Sequence, residues 1–343
     1  MPQEGDYFIA LAPRVDGLVL FGHSAFLTFD ERIEYYAYAS NTDLNYFNQF
    51  GSARVTIPFR RFGFYGDVGL YRTRDRPIEA QDARPIRREV PVGAGVILKL
   101  GWRTDAELGL TRDRLTAEDE NDPTLGPRID RVETGTRLRA RYLLVGRTRL
   151  LLDTSRRTIR FDDAGTAGRR DGEERRALLG VDFGLGGTIS GTVRAGYSNF
   201  DLVNPTATGF SGLVADAALA YNFGGTGSRI TLIGARDTRY SLYDETNLYI
   251  LTSGELSLIK YFNRFIGADI GASRAVLEFL GDPQDRVDHY TTMSAGIRFR
   301  FSETDLGRKV EYSFRYVRGV TDSTRDDLDQ SRGTIGFGVS YGY

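Results

Sequence analysis

The sequence predicts an all-β fold: one transmembrane, antiparallel, up-and-down β-barrel of about 16–18 strands. Three observations carry that prediction. Apolar residues return at every second position in segment after segment, the period of a strand whose side chains alternate between two faces. Short and long polar connections alternate between those segments, as turns and loops do at the two rims of an outer-membrane barrel. Glycine (40), phenylalanine (21) and tyrosine (19) are abundant, and cysteine is absent. Mean hydropathy is −0.33 and no run approaches the 18 apolar residues of a membrane helix. Both facts suit a barrel, in which lipid-facing and lumen-facing residues average out.

The segments follow in order. The first four are 6–20, 24–38, 46–58 and 62–74. In 88–100, Val90, Val92, Ala94, Val96, Leu98 and Leu100 alternate with smaller or polar residues. In 102–116, Trp102, Ala106, Leu108 and Leu110 alternate with Arg103, Asp105 and Glu107. In 131–145 the alternation sets Leu138, Ala140 and Tyr142 against Arg137, Arg139 and Arg141. The series continues through 148–161, 174–186, 188–199, 209–223, 228–239, 246–261, 264–278, 288–301 and 308–319. It ends in 332–343, where Ile335, Phe337, Val339, Tyr341 and Tyr343 alternate with Gly336, Gly338, Ser340 and Gly342. The count is 17, whereas single-chain bacterial barrels have even numbers. Either one hairpin is miscounted or a first strand lies upstream of Met1. Phe21, Phe59, Phe62, Trp102, Phe223, Tyr261, Phe265, Phe301 and Tyr343 gather beside the short turns, where an interfacial girdle belongs. No linker or composition break divides residues 1–343, so a single domain is expected.

Net charge is −1, which gives no pull toward nucleic acid. Met1–Asp6 lacks the basic start and apolar core of a secretory signal peptide, so a signal is absent from this stretch. The apolar stripes predict that the alternate positions line a lumen. The lumen-lining set comprises Arg32, Lys99, Arg103, Asp105, Glu107, Arg137, Arg139, Arg141, Asp182, Arg194, Asp216, Arg298, Arg300 and Arg315. Guanidinium groups bind carboxylates and phosphates in a fork, so such a wall either pairs with its own Asp and Glu or guides an acidic polymer.

Catalytic chemistry finds little support. The histidines are His23, in a short turn, and His289, near a loop end on the outward parity. A hydrolase would need a hydroxyl nucleophile beside one of them. The acidic stretches 116–124 and 160–165 lack the Gly and closing Glu of a calcium loop, so no metal and no cofactor is expected.

The stretches "ERRALLGVDFGLGGTISGTVRAGYSNFD" (174–201), "GFSGLVADAALAYNF" (209–223) and "RITLIGARDTRYSLYDETNLYILTSGELSL" (229–258) resemble the putative β-barrel porin 2 group of outer-membrane proteins. The resemblance covers the order of hairpins through the terminal strand. It implies the outer membrane of a Gram-negative bacterium and an association with exopolysaccharide export. The implied function is a conduit for polysaccharide across that membrane, partnered by periplasmic polysaccharide-export proteins. A general diffusion porin is the second reading and an outer-membrane hydrolase the third. Outer-membrane lipid and lipopolysaccharide would surround it. Gly338, Tyr341 and Tyr343 resemble the C-terminal signal read by the barrel-assembly machinery.

Overall fold

In the computed structural model the assigned elements are all β-strands. The structure describes residues 8–22, 24–39, 45–74, 85–118, 129–162, 170–185, 187–224, 227–241, 246–303, 308–325 and 329–342. The strands are β1 (Phe8–Leu11), β2 (Arg14–Phe21), β3 (Ala25–Tyr38), β4 (Tyr46–Pro58), β5 (Phe62–Thr73) and β6 (Ile86–Lys99). They continue with β7 (Thr104–Glu118), β8 (Arg131–Val145), β9 (Thr148–Phe161), β10 (Gly172–Leu185), β11 (Ile189–Leu202) and β12 (Phe210–Phe223). The last are β13 (Ser228–Tyr240), β14 (Leu248–Tyr261), β15 (Ile266–Leu280), β16 (Val287–Glu303), β17 (Arg308–Ser323) and β18 (Gln330–Gly342).

The 18 elements and the 17 predicted segments agree once β1 and β2 are seen to share a partner. β1 pairs with Tyr35–Tyr38 and β2 with Ala25–Arg32, both on β3. Pro13 lies between them and has no N–H to give the ladder, so one long strand is interrupted. Its carbonyl still accepts from the Ile33 N–H at 3.0 Å.

Two compact units make up the chain: Met1–Arg141 with Asp153–Arg176 and Asn199–Ala207, and Tyr142–Leu152 with Ala177–Ser198 and Thr208–Tyr343. Within the first, β2 through β7 form an antiparallel meander with continuous register. Within the second, β12 through β18 do the same. Most strands exceed the roughly 9–11 residues that a tilted membrane strand needs. Short turns join them at one end; between β8 and β9 the turn is Gly146-Arg147, and Gly146 has φ 58°, a left-handed geometry a side chain would strain.

Register keeps apolar and polar sets on opposite faces. In the first unit Val96 lies opposite Leu108 and Leu98 opposite Ala106, while Lys99 lies opposite Asp105 and Ile97 opposite Glu107. In the second, Leu219, Leu232, Leu256, Ala272 and Met293 form one row across five strands. Ile233, Glu255 and Ser273 form the neighbouring row on the other face. The apolar face is bare: Leu108 is 54% exposed, Leu256 51% and Ile297 50%. Bare leucine rows of this extent need an apolar solvent.

Buried side chains collect at the loop ends of the strands. The first unit packs Leu115, Ile129, Ile159 and Phe161 there. The second packs Leu248, Leu277, Phe279 and Tyr290.

Candidate functional site

The polar face carries the charges, and its turn-proximal half is organised the same way in each unit. In the first unit the Tyr65 ring, on β5, lies across Gly95 of β6 and Gly109 of β7. A Cβ at Gly95 would stand 2.6 Å from the ring, and one at Gly109 2.5 Å from its hydroxyl. Only glycine leaves that slot. The Tyr65 hydroxyl thereby reaches the Glu107 carboxylate. The Arg54 guanidinium stacks 3.9 Å above the Tyr65 ring and stands 3.7 Å from Glu107. Arg141 binds Asp105 at 2.5 Å and stands 3.7 Å from Glu107. Arg137 and Arg139 both converge on Asp153, which is 4% exposed.

In the second unit Tyr261 closes β14 with its ring beside Gly267 of β15, where a Cβ would meet it at 2.8 Å. Its hydroxyl donates to Glu311 at 2.6 Å. The Arg300 guanidinium stacks 3.9 Å over the ring and also bonds the hydroxyl and Glu311. Arg298 bridges Asp269 and Glu311, at 2.8 Å to each. Arg315 adds a second guanidinium to Asp269 at 2.8 Å.

The other predicted wall residues fall as follows. Arg194 meets Asp216 at 3.1 Å, and Asp182 accepts from the Thr192 hydroxyl at 3.4 Å. Arg32 pairs with Glu34 at 3.2 Å and stacks 4.4 Å over Phe50. Lys99 ends β6, exposed, opposite Asp105. Arg103 lies in the turn before β7 rather than on a strand, 4.0 Å over the Trp102 ring, because the strand starts only at Thr104. Gly338 sits in β18 opposite Ser313; Tyr341 pairs with Val310 through its backbone, and Tyr343 and His23 lie outside the described residues. His289 lies on the apolar face between Val276 and Asp322. Among the described residues no group of three or more metal-ligating side chains gathers.

Two loop-side networks escaped the sequence. Arg157 bridges Glu133 and Glu174, each at 2.7 Å, with Arg131 and Arg176 completing the pairs. In the second unit Arg286 and Asp288 are 1% and 0% exposed and pair at 2.6 Å, with Phe279 under the guanidinium and the Ser323 hydroxyl donating to Asp288. The i, i+2 spacing of Arg286 and Asp288 was the available signal, since in extended chain it turns both side chains the same way where β16 begins. Outside the strands, burial pushes the Asp130 carboxyl above its ordinary range, although the Ala117 N–H donates to it at 2.7 Å.

The chain matches the family described as "Putative beta-barrel porin 2" over residues 23–341, and it belongs to that family. Solved barrels are similar in fold. The outer-membrane transporter YddB from Escherichia coli superposes with a TM-score of 0.51 at 8% identity, over 92% of this chain and 55% of that one. The copper transporter OprC gives 0.53 at 12% identity, over 97% of this chain and 63% of that one. This chain thus spans 55–63% of their length. Among curated proteins no sequence matches. The fold is an outer-membrane, antiparallel up-and-down β-barrel of the porin-like, channel-forming class. Its bare apolar face is the one that lipid requires.

Proposed function

We propose that this barrel is a conduit for export of polysaccharide across the outer membrane, working with periplasmic polysaccharide-export proteins and inserted by the barrel-assembly machinery. One observation supports the reading above the others: the wall's arginines share carboxylates, two guanidinium groups on each of Asp153, Asp269 and Glu311. A moving polymer needs many weak contacts and no single tight ring, because a chain held at one site would not advance. Guanidinium groups that share a carboxylate keep N–H groups for transient carboxylates or phosphates, with part of their charge already neutralised.

The protein acts without catalysis in this reading. Among the described residues the buried Nδ1 of His289 has no hydrogen-bond partner, so no carboxylate there orients its ring. A diffusion porin for small solutes would use the same wall, and deleting the gene separates the two. Loss of an exporter removes surface polysaccharide and traps polymer in the periplasm while solute uptake stays unchanged. Normal surface polysaccharide with reduced solute permeability would overturn export and establish the porin. Changing Arg137, Arg139 and Arg141 together to Gln should slow an acidic polymer several-fold, with the barrel still assembled.

A further inference from the structure

The apolar face differs at its two ends. Its turn side carries the aromatics, with Phe59, Phe62 and Phe64 in mutual contact in the first unit and Phe301, Tyr312, Phe337 and Phe314 in the second. The loop side of the first unit carries arginine instead. Leu108 and Leu110 on β7 are 54% and 62% exposed, and the next two positions of the same stripe are Arg112 and Arg114, opposite Val92 and Val90. On β9 the outward positions past Leu152 include Arg156 and Arg160, alternating with the fully buried Ile159. On β10 the outward set begins with Glu173 and Arg175.

Five guanidinium groups therefore stand just above the apolar band, with the carboxylates of Asp162, Asp171, Glu173 and Asp201 among them. Glu173 is shared by Arg156 at 2.6 Å and Arg175 at 2.5 Å. Asp162 takes Arg114 at 2.6 Å, and Asp201 at the edge takes the Asn199 amide at 2.6 Å. Arg112 and Arg160 have no ion-pair partner among the described residues. Arg160 also borders a cavity of about 300 Å³ lined by Thr158, Asp171, Glu173, Asp201 and Val203. A charged side chain on the lipid-facing wall is tolerated at headgroup depth, where it meets phosphate rather than hydrocarbon.

We propose that this patch on β7, β9 and β10 binds the phosphate of an outer-leaflet glycolipid of the lipid A class, with Arg112 and Arg160 as the primary contacts. Position and the two guanidinium groups without an ion-pair partner among the described residues point to that occupant: Arg112 and Arg160 sit on the stripe that lipid must cover. Among the described residues, neutralising Arg112 and Arg160 orphans no carboxylate, which makes a clean test.

The full barrel in detergent is titrated with bisphosphorylated lipid A and with dephosphorylated lipid A, followed by native mass spectrometry. The heat-modifiable gel shift of the folded barrel is run in parallel. Wild type should prefer the phosphorylated lipid, and the Arg112→Gln/Arg160→Gln pair should lose that preference on the order of tenfold while remaining folded. Arg112→Lys/Arg160→Lys should keep most of it. Equal binding of the two lipids by wild type, or an unchanged preference in the Gln pair, overturns the proposal. Displacement of lipid A by millimolar inorganic phosphate alone, or a change only in oligomeric state, overturns it too, in favour of a free-anion site or a protein contact.

Discussion

The two units hold the turn-side halves of their polar faces with the same four parts, an arginine stacked on a tyrosine, a glutamate at the hydroxyl and a second arginine, yet they weight them differently. In the first unit Tyr65 is fixed by shape. It fills a slot over Gly95 and Gly109, and both arginines near Glu107 stand back at 3.7 Å. In the second unit Tyr261 is fixed by charge. Its hydroxyl meets Glu311 at 2.6 Å, and Arg298 ties Glu311 to Asp269 across β15, β16 and β17. A glycine slot is steric and insensitive to salt or pH, whereas a guanidinium network is directional and only as strong as its last partner. The contrast shows that one local device can be stabilised by packing or by electrostatics.

The largest expected effect tests the shape side. Gly95→Ala places a Cβ 2.4 Å from the Leu108 carbonyl oxygen, a backbone atom that cannot swing away. It should cost about 3 kcal/mol or prevent assembly. Gly267→Ala meets mainly the Tyr261 ring and should cost less; Gly254→Ala, with nothing within 4 Å, should be near neutral. Urea unfolding of the refolded barrels in vesicles measures all three, and equal costs at Gly95 and Gly267 would erase the distinction.

The charge side is tested next. Asp269→Asn weakens contacts to Arg298 and Arg315 together and should cost about 2–3 kcal/mol. Asp105→Asn loosens Arg141 at a carboxylate that is 29% exposed, against 4% for Asp269, and should cost about 1 kcal/mol or less. The Asp269 deficit should shrink in high salt if Coulomb attraction carries it, and should not if hydrogen-bond geometry does.

Smaller still is the hydroxyl itself. Tyr261→Phe should cost about 1–2 kcal/mol and Tyr65→Phe about half that, because the ring over the glycines remains in place. A reversed order would mean that Glu107 depends on Tyr65 more than its distances imply.

The slightest effect concerns a carboxylate held by a backbone N–H and burial. The folded Asp130 carboxyl binds its proton more tightly than the unfolded one. Stability should therefore fall as pH rises just above the ordinary carboxylate range, then level off once both states are ionised. Asp130→Asn keeps an oxygen for the Ala117 N–H and should flatten that step, as a pH series of unfolding midpoints would record.

The period-2 pattern was enough to place nearly every strand and to separate the faces, because alternation is a local property of an extended chain. Leu98 against Lys99, or Leu138 against Arg139, can be assigned without knowing any neighbour. The interruption at Pro13 was not read from the sequence, where 6–20 stands as one strand; both halves pair with β3, so the two counts still agree. The partners were not legible. Tyr261 reaches Glu311 across 50 residues and Arg298 reaches Asp269 across 29, and those pairings follow from inter-strand register. Turn lengths and bulges set that register, so composition and spacing place an arginine on the wall without saying which carboxylate it meets. The glycine slot under Tyr65 was hidden for the same reason: Gly95 and Gly109 look like ordinary small residues until two ladders bring them beneath one ring. Sequence thus determined the strands and their two faces. Tertiary structure decided which charges are paired, which arginines on the outer wall are left without a partner, and where packing rather than charge holds the lumen.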